Sequence, residues 1–222
     1  MSSQAPQSRE GQLKITEVFH SLQGEARDAG RPTVFIRLTG CPLRCVYCDS
    51  EYAFYGGEWM QIDQIMKQVA SYQTPYVCVT GGEPLAQKRC QDLLNKLCEA
   101  GYQVSLETSG AMDISQVDER VSRVLDIKTP ASGEVERNLW TNLDVVTAHD
   151  QIKFVLCSRE DYDWAVTEIR SRNMLEKTDI LLSPAWGQLK PADLAEWVLE
   201  DQLNVRVQLQ LHKLLWGDVP GK

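Results

Sequence analysis

Three cysteines lie close together in Gly40-Cys41-Pro42-Leu43-Arg44-Cys45-Val46-Tyr47-Cys48-Asp49-Ser50, at C-x-x-x-C-x-x-C spacing. Thiolates this near one another in a loop can converge on a metal ion or on one face of an iron–sulfur cluster. Structural zinc sites and four-iron clusters want four ligands, and no fourth Cys or His is near. His20 upstream and Cys78 downstream are the closest other candidates. Three thiolates on a four-iron cube leave one iron open, and an open coordination site signals chemistry rather than structure. A zinc loop completed by a distant residue is the competing reading of the same spacing.

A second stretch able to meet a ligand is Thr80-Gly81-Gly82-Glu83-Pro84. Adjacent glycines let backbone approach a bound molecule closely, and the proline stiffens the exit. Taken alone, the pair could be merely a turn. A third group is charged. Side chains two apart on a strand share a face. By that rule Arg37 sits with Phe35 and Thr39, Glu107 with Gln103 and Ser105, Asp126 with Lys128, and Lys153 with Gln151 and Val155. Near the chain end Arg206, Gln208, Gln210 and His212 align. If these faces line one lumen, it is wet and charged. Buried charges need partners or they cost several kcal/mol each, and a polar ligand could supply them. Otherwise some of these faces point to solvent at a sheet edge.

The elements that must position these residues alternate. Strand patterns cover residues 13–19, 33–39, 76–80, 103–108, 123–128, 151–156, 179–183 and 205–211. Apolar residues at helical spacing mark helices over about 61–72, along Cys90, Leu93, Leu94 and Leu97, along Tyr162, Val166 and Ile169, and after Pro191. A weak helical link joins the strands over 103–108 and 123–128, and residues 129–150 are ambiguous. Alternation of this kind implies parallel strands with crossovers, in a barrel-like or doubly wound sheet. Functional loops then gather at the C-terminal ends of the strands. The cysteine loop, residues 40–57, and the Gly-Gly turn both follow strands directly. Residues 1–11 are polar and turn-rich and read as a disordered tail before a single domain over 12–222.

The two motifs together resemble the radical S-adenosylmethionine superfamily. There the open iron is chelated by the methionine moiety, and the Gly-Gly-Glu-Pro backbone holds its amino group. Three further stretches, Phe19-His20-Ser21-Leu22-Gln23-Gly24-Glu25, Glu107-Thr108-Ser109-Gly110 and Gln210-Leu211-His212-Lys213, resemble the 7-carboxy-7-deazaguanine synthase family. The resemblance covers nearly all the chain after residue 12. It implies an α/β fold, an abbreviated (β/α) barrel with about six parallel strands. It implies a lyase acting on 6-carboxy-5,6,7,8-tetrahydropterin by radical ring contraction with loss of ammonia, in queuosine and deazapurine biosynthesis. A 4Fe-4S cluster, S-adenosyl-L-methionine, Mg²⁺, an external one-electron reductant and a homodimer are implied with it.

Position by position, the resemblance gives the cluster to Cys41, Cys45 and Cys48, and the metal position to Ser50. Leu22, Gln23, Gly24, Arg37 and Thr80 would meet the substrate. Tyr47, Gly82, Ser109, Asp126, Ile127 and Lys128, with the turn Ser183, Pro184, Ala185 and Trp186, would surround S-adenosylmethionine. Family members often carry Thr where this chain has Ser50, and the 183–186 turn differs from a Gln-Pro form. Asp126 and Lys128 could equally be a structural pair, and His212 either faces the substrate or is a satisfied core histidine. Two other functions share parts of this text. A radical-generating activase acting on a partner protein would have both motifs but need an open groove. An electron carrier would have no use for the Gly-Gly-Glu-Pro turn.

The composition sets the remaining bounds. The 222 residues carry a formal net charge of −8, which argues against a duplex nucleic-acid surface. No apolar run is long enough for a membrane span, and no signal-peptide pattern opens the chain. Seven cysteines, an odd number without disulfide-framework spacing, fit a reducing cytoplasm.

Overall fold

A computed structural model of the chain describes residues 11–217, 219 and 221. Its first strand, β1 (Gln12–Leu22), runs antiparallel to β2 (Pro32–Leu38) on one side and to the short β3 (Glu58–Gln61) on the other. From β2 onward the strands are parallel: β4 (Tyr76–Gly81), β5 (Gln103–Thr108), β6 (Ser122–Ile127), β7 (Gln151–Leu156), β8 (Asp179–Pro184) and a two-residue β9 (Arg206–Val207). The sheet order is β3-β1-β2-β4-β5-β6-β7-β8-β9. The sheet curves around an interior without closing, so the fold is an abbreviated barrel. Six of its parallel strands are of full length, as expected.

Helices α1 (Ile62–Ala70), α2 (Cys90–Glu99), α3 (Arg159–Ser171) and α4 (Pro191–Glu200) cover the outer face, and α5 (Leu211–Trp216) ends the chain's regular structure. Alternation splits each strand between two environments. Val34, Ile36, Leu38, Val77, Val79, Leu106, Ile127, Ile152, Phe154 and Ile180 point outward. They form one core with Ile65 and Val69 of α1, Leu93 and Leu97 of α2, Tyr162 and Ile169 of α3 and Leu194 of α4. On the inner face a small apolar cluster of Ala26, Val124 and Leu181 sits among polar neighbours.

Across the open side, the chain after β9 meets the loop after β1. Gln208 accepts from Ala26 N at 2.8 Å and donates to Ala26 O at 3.1 Å. Leu211 N donates to Gly24 O at 3.0 Å. These contacts end the last strand early: a strand over 205–211 is expected, but it stops at Val207 and the chain turns into α5. His212 is therefore helical, and Arg206 lies apart from the lumen, near Asp179 at 4.0 Å.

Two other expectations change, and the stretch left ambiguous takes form. β3 lies between the cysteine loop and the first helix, where no strand is expected; three of its four residues are exposed, which leaves no alternating signal. The stretch joining β5 to β6 contains turns rather than a helix, with Ile114, Val117 and Val121 buried. Residues 129–150 form single-turn 3₁₀ helices over 130–132, 135–137 and 140–144. Apart from Gly11, the expected tail over 1–11 lies outside the described residues. Among the described residues no helix is long and apolar enough to cross a membrane.

Candidate active site

A cavity of about 640 Å³ opens at the C-terminal ends of the parallel strands. The loop after β2 forms one wall. Gly40 N donates to Ala53 O at 2.8 Å and Val46 N to Ser132 O at 3.0 Å. Leu43 is anchored beneath with 1% exposure. Cys41, Cys45 and Cys48, all half-buried, line this wall. Burial pushes all three thiols up, that of Cys45 to about 11, so a cationic centre is needed to hold them as thiolates. Among the described residues no three His, Cys, Asp or Glu side chains come together on a single metal ion. Three thiols open onto one cavity, where they can face one iron–sulfur cluster.

The Gly-Gly turn packs directly against this loop. Gly82 N donates to Leu38 O at 3.2 Å and Glu83 N to Gly40 O at 2.8 Å. A Cβ on Gly82 would collide with Gly40 O and lie 2.7 Å from the Cβ of Cys41. Position 82 therefore tolerates no side chain, and its backbone stays bare beside the thiols. At the end of β5, Thr108 and Ser109 bond to the buried Glu83 carboxylate.

Beyond the thiols, the expected S-adenosylmethionine positions gather on one side. Tyr47, Gly82, Ser109, Asp126, Lys128 and residues 183–186 all line the cavity. Lys128 pairs with Asp126 at 3.1 Å, so the pair is both structural and in contact with the cavity. Ser183 Oγ is buried without a hydrogen-bond partner, an orphan that a polar ligand would satisfy. These residues fit a bound sulfonium amino acid. Ile127 is the exception: its side chain is fully buried in the outer core, leaving only its backbone available.

The expected substrate positions lie opposite. Leu22, Gln23, Gly24, Arg37 and Thr80 line the same cavity. A bulge in β1 between Ile15 and Glu17 sets Glu17 opposite Arg37 in the register, as bulges commonly re-aim side chains. Arg37 Nε donates to Glu17 Oε1 at 2.7 Å, and Tyr52 OH donates to the same oxygen at 2.8 Å. Ser50 also lines the cavity and donates to Asp49 Oδ1 at 2.9 Å. The other oxygen of Asp49 accepts from Lys213 Nζ at 2.9 Å and Gln210 Nε2 at 3.2 Å.

The lumen below carries more charge than the matched motifs assign. Lys153 is buried between Glu25, with which it pairs, and Asp126 at 4.0 Å. Burial alone would raise the Glu25 carboxyl, but Lys153 beside it holds it below its ordinary value. Glu107 goes the other way: burial, then the neighbouring Glu25 charge, pushes it up. Its hydrogen-bond donor is Thr80 Oγ1 at 3.3 Å. Burial lowers His212, which packs against Gly24. Strand alternation marks Glu107 and Lys153 as inward. It could not reveal Glu17, which reaches Arg37 only through the bulge, nor Tyr52, Asp49 and Lys213, which loops and α5 bring in.

Comparison with known proteins agrees with this geometry. Residues 35–174 match the family model of the radical SAM superfamily. The 7-carboxy-7-deazaguanine synthase of Chlorobaculum tepidum is 45% identical over 98% of this chain and 97% of that protein. The enzyme of that name from Koribacter versatilis is 42% identical over 92% and 97%. Among solved structures, QueE from Escherichia coli superposes with a TM-score of 0.71 at 22% identity, covering 90% of this chain and 95% of that one; this likeness speaks for the fold alone. The spacing of the thiols, the bare glycine beside them and relatives alike over nearly their whole length converge: the chain belongs to the radical S-adenosylmethionine superfamily and, within it, to the 7-carboxy-7-deazaguanine synthase family.

Proposed function

We propose that this enzyme converts 6-carboxy-5,6,7,8-tetrahydropterin to 7-carboxy-7-deazaguanine by radical ring contraction with loss of ammonia, in queuosine and deazapurine biosynthesis. The observation that carries the reading is the lumen itself: Arg37, Thr80 and Glu107 face the same cavity as the three thiols. Such a lumen suits a small, polar, carboxylated heterocycle rather than a polypeptide laid in an open groove.

Cys41, Cys45 and Cys48 would hold the cluster, which with bound S-adenosylmethionine would supply radical hydrogen abstraction. The chain's own groups bind and orient. Arg37 is held at Nε by Glu17, which leaves the far edge of the guanidinium for a carboxylate. Gln23 and Gly24 border the ring. Glu107, whose carboxyl burial pushes up, faces the same cavity. Ser50 would offer one oxygen to Mg²⁺. Mg²⁺ takes oxygen ligands and keeps several waters; with a neutral hydroxyl on the protein side, the substrate's carboxylate would supply much of the binding.

An external one-electron reductant, a homodimer and a cytoplasmic setting complete the proposal. The seven cysteines, all free, support a reducing compartment. The direct test is anaerobic incubation of the reconstituted protein with carboxytetrahydropterin, S-adenosylmethionine and reductant, followed by mass spectrometry. The deazaguanine product is expected. Unchanged pterin with intact cluster and cofactor binding would refute the substrate assignment.

A further inference from the structure

Lys153 is buried in the lumen, and the function proposed above gives it no task. From β7 its ammonium pairs with the carboxylate of Glu25, in the loop after β1, and lies 4.0 Å from Asp126 on β6. Glu25 lines the cavity as well, directly after Gln23 and Gly24. A buried carboxyl has two forms of opposite hydrogen-bonding character. Ionised, it only accepts, and can take two parallel N–H donors; protonated, it also donates. The lumen sets two such groups apart. Burial raises both, but Lys153 reverses this for Glu25, whereas burial and then the Glu25 charge push Glu107 up. Glu25 is therefore an acceptor with a cation at its side. Lys153 and Gln210 occupy part of its capacity, and an ionised carboxylate has lone pairs left for a ligand.

We propose that Lys153 is a positioning residue that sets substrate specificity: its ion pair fixes Glu25 as an acceptor, which selects a heterocycle with two adjacent N–H donors, the 2-amino and N3–H edge of a pterin, over one with an oxygen there. The inference rests on the reading that the cavity takes a carboxylated pterin. That edge meets a carboxylate as a guanidinium does, with two parallel donors on two oxygens. An oxygen in place of the amino group would face an anion and leave a buried acceptor unpaired, which is how polar sites reject close analogues. A purely structural Lys153, neutralising Glu25 for the sake of the fold, would not discriminate between the two ligands.

The test is equilibrium binding to the anaerobically reconstituted enzyme with S-adenosylmethionine and no reductant, so that nothing turns over. The probes are 6-carboxy-5,6,7,8-tetrahydropterin and its 2-oxo counterpart, the corresponding lumazine. Native protein should prefer the pterin. In Lys153→Met, Glu25 loses its cation and takes up a proton, and the preference should fall roughly 10- to 100-fold. Raising the pH should bring the preference back in the variant, because it ionises Glu25 again. The other titratable groups facing the pair, Glu107, Asp49 and His212 around Glu25 and Asp126 beside Lys153, are common to both proteins. The ratio between proteins therefore isolates Lys153. An unchanged preference in Lys153→Met, whether or not both ligands weaken, overturns the proposal, and so does a loss that a rise in pH does not relieve. Should Lys153→Met fail to fold, Glu25→Gln decides, since its amide donates where the carboxylate cannot: an unchanged preference there overturns the proposal too. If native protein binds neither probe, the substrate reading falls and this inference with it. If it binds both equally, that reading stands and the inference alone falls.

Discussion

Arg37 is the residue where geometry and chemistry agree most closely. Its Nε is occupied by Glu17, which orients the fork without consuming it. Lysine could keep the charge but not the two-pronged edge. Arg37→Lys should therefore cost about 2–4 kcal/mol in substrate binding or transition-state stabilisation while iron content stays native. Steady-state turnover with iron analysis checks this, and unchanged turnover contradicts it. For Ser50, native activity should rise with Mg²⁺ concentration. Ser50→Ala should lose that response and Ser50→Thr keep it. An identical response in the alanine variant removes Ser50 from the metal site, leaving its bond to Asp49 as its whole role. Glu107 carries a pH signature. Its folded carboxyl holds the proton above its ordinary value of 4.5, so the folded state binds more protons than the unfolded one as pH rises through that value. Native stability should fall across this window. Glu107→Gln should melt higher than native protein at neutral pH and lose its advantage below 4.5. Thermal melts across pH decide it.

At the scale of elements, α5 is what the sequence hid. Val205 to Leu211 alternate like a strand, yet the chain leaves the sheet at Val207 because Gln208 and Leu211 are claimed by the loop after β1. The parallel strands were legible because each is apolar on its outer face over several residues. β3 was not, since a short exposed edge strand carries no such pattern. The thiols, the Gly-Gly turn and Arg37 were readable from residue type and spacing. Glu17, Asp49 and Lys213 were not, because a bulge, a loop and a terminal helix place them. Lys213, buried in α5, ties that helix to the residue after Cys48. Burial raises the Asp49 carboxyl, but Lys213 more than reverses this and holds it well below 3.8. The pair's contribution is therefore fully present above 3.8 and is lost as pH falls from there through the depressed folded value. Lys213→Met should cost about 1 kcal/mol at neutral pH, a discounted figure because the Asp49 side chain is 41% exposed. The loss should vanish in acid. Chemical denaturation at two pH values measures it, and an equal deficit at both would contradict the ion-pair account.

The whole molecule is a barrel left open along one line. A closed barrel would join its first and last strands by a ladder; here two hydrogen bonds between the Gln208 side chain and the Ala26 backbone and one from Leu211 N to Gly24 O span the gap. Three bonds, two of them buried, are a seam rather than a full ladder, and a seam can part without the sheet unfolding. In hydrogen–deuterium exchange the amides of Ala26 and Leu211, whose partners lie across the seam, should exchange well before those of β4 to β7, which should open only with the entire fold. Protection as high along this line as in the central strands would show that it never parts. If it does part, the molecule breathes along the boundary between the Leu22–Gly24 wall and the helix that carries His212. Substrate could then enter from the side rather than past the thiols.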